Sequence, residues 1–157
     1  DVGTISSLWE SNMDLLGEAP AFDVGDSDWK IHSRNPLAPP EYIGQDAVVD
    51  NSLVALGCEI EGTVVNSVLA TGVVVERGAV VKDSVIMADT VIQQGARVEY
   101  SIIDENVTVE ENAVVGKARA KGVGIAVLGR DITIASGATV AAGEILDKDY
   151  KGETNNG

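Results

Sequence analysis

The sequence predicts an all-β fold, a parallel β-helix in which short strands wind around a narrow apolar interior. One observation is a repeat whose copies begin at offsets of 15, 17 and 17 residues: Ser52, Ser67, Ser84 and Ser101. A second is a six-residue step between aliphatic residues, as from Ile103 to Val109 to Val115. A third is the composition, 45% hydrophobic but only 4% aromatic, which suits an interior too thin for rings. A fixed period indicates units that bury their apolar sides against their neighbours.

The six-residue step separates this fold from other architectures. A helix repeats at about 3.6 residues and an isolated strand at about two, whereas a six-residue step fits short strands joined by tight corners. Three faces complete one triangular coil, and each strand pairs with the coils above and below at about 4.8 Å. A sandwich of short valine-rich strands is the alternative, but sandwiches do not usually repeat one long pattern. The predicted inward positions are Ile43, Val49, Val75, Val81, Ile103, Val109, Val115, Leu128, Ile134 and Val140. Four or five residues after many of them comes another small or aliphatic residue: Ala47, Leu53, Ala79, Val85, Val107, Ala113, Ile132 and Ala138.

Residues 1–16 are predicted to carry a short α-helix, the remnant of a preceding domain. Thr4 suits the N-cap position and Gly17 suits the stop. The predicted helix face is mostly apolar and comprises Ile5, Leu8, Trp9, Asn12, Leu15 and Leu16. Such a face needs a partner. The solenoid is one candidate, but we expect the original partner to lie upstream.

The rest of the chain divides into three parts. Residues 17–42 form a connector that contains all four prolines and is expected to be partly extended and stiff. Residues 43–146 form the β-helix domain, whose pattern is broken by an irregular excursion at 117–127. Residues 147–157 form a polar tail that we expect to be flexible.

Charge and composition argue against several classes of partner. Asp and Glu total 25 against 11 Lys and Arg, and the net charge of −14 disfavours nucleic acid, because phosphate contacts need a basic surface. No apolar run approaches the eighteen or so residues of a membrane span. Cys58 is the one cysteine, so it forms no intrachain disulfide, which suits a reducing compartment.

Catalytic patterns are absent from the predicted coils. Acyl transfer needs a general base, which is usually a histidine. A zinc site of the three-histidine type needs three histidines. The one histidine, His32, lies in the connector. Cys58 has no accompanying histidine and fits a small buried or corner residue better than a nucleophile.

One basic cluster stands out from the acidic background. Four of the 11 Lys and Arg residues flank the excursion: Lys117, Arg119, Lys121 and Arg130. Cations and freed backbone amides in a glycine-bearing loop can hold a phosphate or carboxylate. The simpler interpretation is that these residues only offset the acidic coils.

Several segments of the chain resemble glucose-1-phosphate adenylyltransferases, in that family's order. They are Asp1-Val2-Gly3-Thr4, Leu8-Trp9-Glu10 with Asn12 to Leu16, Trp29 and Ile31 before Leu37-Ala38-Pro39-Pro40, and Gly57-Cys58 through Asn66-Ser67-Val68-Leu69. The resemblance implies the C-terminal, left-handed, hexapeptide-repeat β-helix of that family, with the connector and the end of the catalytic domain before it. It also implies a cytoplasmic parent enzyme of glycogen or starch synthesis that converts ATP and glucose 1-phosphate to ADP-glucose and pyrophosphate.

The same resemblance implies specific roles. The catalytic core has no counterpart here, so the piece is expected to be inactive alone and to need no cofactor. Asp1 would be a Mg²⁺ ligand in the full-length enzyme. The family's β-helix supports homo-oligomers, usually tetramers, and helps to bind an anionic metabolite. Gly124-Ile125-Ala126-Val127 resembles the stretch that carries the activator-binding lysine of plant members, and Arg130 occupies roughly the position of that lysine. The alternatives are a non-catalytic regulatory subunit of that enzyme, an independent hexapeptide acyltransferase, and a purely structural solenoid.

Overall fold

The computed structural model describes residues 2–16 and 42–152. In that part of the chain, an α-helix at Val2–Met13 (α1) and a 3₁₀ turn at Asp14–Leu16 precede three six-stranded parallel sheets. The first sheet contains β1 (Tyr42–Ile43), β4 (Glu59–Ile60), β7 (Val74–Val75), β10 (Val91–Ile92), β13 (Thr108–Val109) and β16 (Thr133–Ile134). The second contains β2 (Val48–Asp50), β5 (Thr63–Val65), β8 (Val80–Lys82), β11 (Arg97–Glu99), β14 (Val114–Gly116) and β17 (Thr139–Val140). The third contains β3 (Leu53–Val54), β6 (Val68–Leu69), β9 (Val85–Ile86), β12 (Ser101–Ile103), β15 (Ala126–Leu128) and β18 (Ile145–Leu146).

The chain visits the three sheets in rotation, so each set of three strands is one coil of a solenoid. Every third strand pairs in parallel with the strand one coil away. This confirms the predicted parallel β-helix with a short N-terminal helix. Its left hand continues to rest on the family resemblance.

The interior consists of stacked aliphatic columns, as the six-residue step predicts. In the second sheet, Val81 pairs with Val64 on one side and Val98 on the other, and none of the three side chains is exposed. At the open first coil, by contrast, Ile43 is 47% exposed. Most predicted inward positions are therefore buried. Ile43 is exposed because it pairs with Ile60 of the second coil on one side only, and the described coils begin with its strand.

The third sheet is apolar on its outer face as well. Leu53 and Val85, which the sequence pattern groups with interior residues, point outward, while their neighbours Val54 and Ile86 point into the core. Outward and inward positions are adjacent on a strand. Consecutive aliphatic residues therefore do not reveal which of the two points inward.

The repeated serines form a hydrogen-bonded ladder at the corner before the third sheet. Each backbone amide donates to the serine hydroxyl of the preceding coil at 3.0–3.2 Å, from Ser67 to Ser52, from Ser84 to Ser67 and from Ser101 to Ser84. Each hydroxyl in turn donates to a carbonyl two residues earlier, at 2.7–2.8 Å. The ladder satisfies polar groups that would be costly to bury unpaired, which explains why serine recurs at this corner.

Some predicted boundaries need correction. The helix begins at Val2, so Thr4 lies within its first turn and is not the N-cap. The excursion ends at residue 125, because Ala126 already pairs with Ser101. The tail is not wholly free: Tyr150 forms a parallel bridge with Ile134 and packs on the core. Asp1, most of the connector with His32, and residues 153–157 lie outside the described residues.

Candidate functional site

Helix α1 packs on the outer face of the third sheet. Trp9 joins a buried cluster with Val85, Ile102 and Ile125. Leu8, predicted to be on the apolar face, is 42% exposed. The solenoid itself therefore provides an apolar surface for Trp9, which is the alternative to an upstream partner, and the upstream partner stays a prediction.

Trp9 anchors this helix. Its side chain is 4% exposed, and its indole Nε1 donates to the Asp83 carbonyl oxygen at 2.7 Å. Its ring meets that of Tyr100 edge-on, with centroids 5.0 Å apart and planes at 86°. Aromatic pairs favour this geometry, and the hydrogen bond fixes the orientation of the indole.

Tyr100 departs from the repeat at a strained position. The residue before each ladder serine has a positive φ: Asn51 (47°), Asn66 (51°), Asp83 (51°) and Tyr100 (48°). Asn and Asp tolerate this region, whereas a bulky residue there is an outlier. The side chains of Asn51, Asn66 and Asp83 bond to one another in sequence, and at the next coil Tyr100 packs on the helix instead.

The excursion begins where a fifth serine corner would otherwise follow. Gly116 has φ of 75°, and a Cβ there would collide with the carbonyl oxygen of Glu99. The chain then loops outward, closes a turn from Val123 N to Ala120 O at 3.1 Å, and returns through Ile125, which is 8% exposed. The loop is thereby fastened to the cluster around Trp9.

The structure separates the four predicted effector residues into two groups. Lys117, Arg119 and Lys121 are exposed on the excursion, between the second and third sheets. Arg130 lies after the opposite end of β15 and contacts Glu105 at 3.7 Å. The three excursion cations therefore share one loop, which Arg130 does not join.

Arg119 has a specific aromatic environment. Its guanidinium carbon Cζ lies 4.8 Å from the centroid of the Trp9 ring and 5.9 Å from that of Tyr100. Both distances fall within the range of cation–π attraction. A cleft of about 230 Å³ opens beside this cluster, between α1, the excursion and the last coil. The lining of this cleft is mostly apolar, and it includes Tyr100, the ring that lies 5.9 Å from the Arg119 guanidinium carbon.

Other candidate groups have structural roles or lie elsewhere. The Cys58 thiol is buried and donates to the Ala70 carbonyl at 3.0 Å, as expected for a structural cysteine. Within residues 2–16 and 42–152, no three His, Cys, Asp or Glu side chains are grouped to hold a metal ion. None of the helices in those ranges is long and apolar enough to cross a bilayer.

Sequence reasoning located the basic loop but missed Trp9 and Tyr100 as its partners. The one available signal was Tyr100 itself, which stands where the other copies of the repeat carry Asn or Asp. A substitution that breaks a repeat at a strained position indicates a local role.

Comparison with known proteins gives a consistent picture. The family model "GlmU-like, C-terminal hexapeptide" matches residues 40–123. A glucose-1-phosphate adenylyltransferase of Geobacillus stearothermophilus is 56% identical over 82 residues, which are 52% of this chain and 21% of the relative. The enzyme of the same name from Bacillus thuringiensis (strain Al Hakam) is 53% identical over 81 residues, 52% of this chain and 22% of the relative. The matched part of the chain thus spans about a fifth of the length of these curated relatives.

Among solved structures, the acetyltransferase domain of PglB from Neisseria gonorrhoeae FA1090 has the same fold. Its TM-score is 0.50 at 18% identity, covering 81% of this chain and 58% of the other. At that identity the likeness establishes the solenoid fold alone.

Proposed function

The chain belongs to the GlmU-like C-terminal hexapeptide family, and from this premise we propose that it is the assembly and regulatory domain of a glucose-1-phosphate adenylyltransferase. The observation that carries the proposal is the packing of α1, which resembles the end of the catalytic domain, on the solenoid beside the basic excursion. An anion held by the excursion would therefore lie next to the helix that would end the catalytic domain. Regulation needs such a contact between an effector site and an element that can respond.

The parent enzyme would transfer an adenylyl group from ATP to glucose 1-phosphate, while this part contributes no reacting group. Asp1 would help to hold Mg²⁺ in the full-length enzyme, where the ion would neutralise phosphate charge. Asp1 lies outside the described residues, and the described ones form no metal-binding group. No step of the proposal therefore runs through the metal. The same domain in a non-catalytic regulatory subunit of that enzyme is the alternative, and the sequence of the catalytic domain of the full-length protein would decide between the two.

We further propose that the chain assembles as a homo-oligomer, a tetramer in the full-length enzyme. The supporting feature is the first coil, where Tyr42, Ile43 and Val48 are 53%, 47% and 50% exposed. Burying such side chains against a second copy would remove apolar surface from water. Light scattering on the purified chain should give a mass above the 16.3 kDa of one copy; a monomer at high concentration would contradict this.

Binding of an anionic metabolite is the direct test of the regulatory role. At a concentration of about 100 Kd, 3-phosphoglycerate or inorganic phosphate should stabilise the chain by about 2.7 kcal/mol. That corresponds to a rise in melting temperature of about 5–10 °C, measured at constant ionic strength because salt screens exposed charges. The Lys117→Ala/Lys121→Ala variant should lose most of the rise.

The matched control is Lys148→Ala/Lys151→Ala, which removes the same charge from exposed positions in the last coil. It should retain the full rise. Arg130→Ala, measured separately, decides whether the site extends past β15. No stabilisation of the unmodified chain by either anion would contradict the effector role.

A further inference from the structure

Arg119 occupies an unusual position for a residue on an exposed loop. Its guanidinium carbon lies within 6 Å of two aromatic rings that stand perpendicular to each other. The ion pairs found within residues 2–16 and 42–152 join Arg97 to Glu99 and Arg130 to Glu105. Arg119 is therefore held by rings rather than by a carboxylate, and its charge is not neutralised by an ion pair.

The two rings are themselves fixed in place. Trp9 is held by its hydrogen bond to the Asp83 carbonyl and is almost fully buried. Tyr100 keeps a positive φ of 48°, in a corner that asparagine or aspartate occupies in the three preceding coils. Conformational strain of this kind persists only where the surrounding structure determines it. Here the compensating contact is the packing of Tyr100 against Trp9 and Arg119.

We infer that Trp9 and Tyr100 pre-position the guanidinium of Arg119 for an anion, so that α1 is a working part of the excursion's binding site. This inference rests on the effector role proposed above. An arginine can contact aromatic rings while its N–H donors bind oxyanions, and Arg119 is exposed. A side chain that is already ordered loses less entropy on binding.

The coupling must act in both directions. If docking of α1 raises the affinity for an anion, then the anion tightens the docking of α1 by the same factor. Within residues 2–16 and 42–152, the cation that lies over these rings is Arg119. Lys117 and Lys121, on the same loop, would contribute charge alone. Tyr100 is consequently a positioning residue, which affects affinity through Arg119.

The experiment compares Tyr100 variants by calorimetric titration with 3-phosphoglycerate and with inorganic phosphate. Tyr100→Asn restores the residue type of the repeat and removes the ring, so the corner should stay folded. It should weaken binding by about fivefold, the affinity equivalent of ordering one long side chain only when the anion binds. Tyr100→Phe retains a ring and should bind within about twofold of the unmodified chain. Leu8→Ala, on the exposed side of α1, is the matched control and should bind normally.

A spectroscopic signal follows α1 directly. In a Trp29→Phe variant, Trp9 is the one remaining tryptophan. Its fluorescence emission should change when this variant is titrated with the anion, but not when Arg119→Ala is added to the same variant. Normal affinity in a folded Tyr100→Asn variant, or binding without a Trp9 response, overturns the inference and leaves the effector role intact. Failure of the unmodified chain to bind either anion overturns both.

Discussion

Replacing Val81 by aspartate is expected to lower the melting temperature of the chain by about 10 °C or more. The Val81 side chain has no exposed surface and lies between Val64 and Val98 in the column of the second sheet. A carboxylate there would have aliphatic neighbours on both sides and no partner for its charge. Burial without a partner costs several kcal/mol, and each kcal/mol lowers the melting temperature by about 2–4 °C in a chain of this size.

The adjacent residue provides the matched control. Val80 lies on the same strand but points outward and is partly exposed, so Val80→Asp can keep its carboxylate hydrated. Circular dichroism should show a large loss of stability for Val81→Asp and a small one for Val80→Asp. Equal melting temperatures for the two variants would contradict the inward assignment of Val81.

The interior could be predicted because stacking imposes one simple rule on the sequence. In the second sheet, Val64, Val81 and Val98 occupy the same place in successive coils. The rule failed at Val85, where outward and inward neighbours are both aliphatic. That residue packs against α1, and a periodic pattern contains no information about a helix that docks from elsewhere in the chain.

The site was only partly predictable for a related reason. Lys117, Arg119 and Lys121 are close in sequence, so their shared loop was evident. Arg130 is nearly as close, but the three residues of β15 carry the chain across a whole face of the solenoid before it. Residues that are close in sequence lie apart in space when a strand separates them, because a strand extends by about 3.3 Å per residue.

The contact between Arg119 and Trp9 could not be predicted from local sequence patterns. It joins the beginning of the chain to its fifth coil, through a corner at Tyr100 whose backbone is strained. The departure of Tyr100 from Asn or Asp marked the place, although it did not name the partner. Functional and strained positions are where consistency between local and global preferences is expected to break down.

The central claim is that this chain assembles and regulates but performs no nucleotidyl transfer. Its described core consists of closely packed aliphatic columns, and we propose that its exposed cations bind an anion rather than activate a nucleophile. The most direct measurement is pyrophosphate release by the purified chain in the presence of ATP, glucose 1-phosphate and Mg²⁺. We predict a rate equal to that of the protein-free blank, whereas release that increases in proportion to the chain's concentration would contradict the claim.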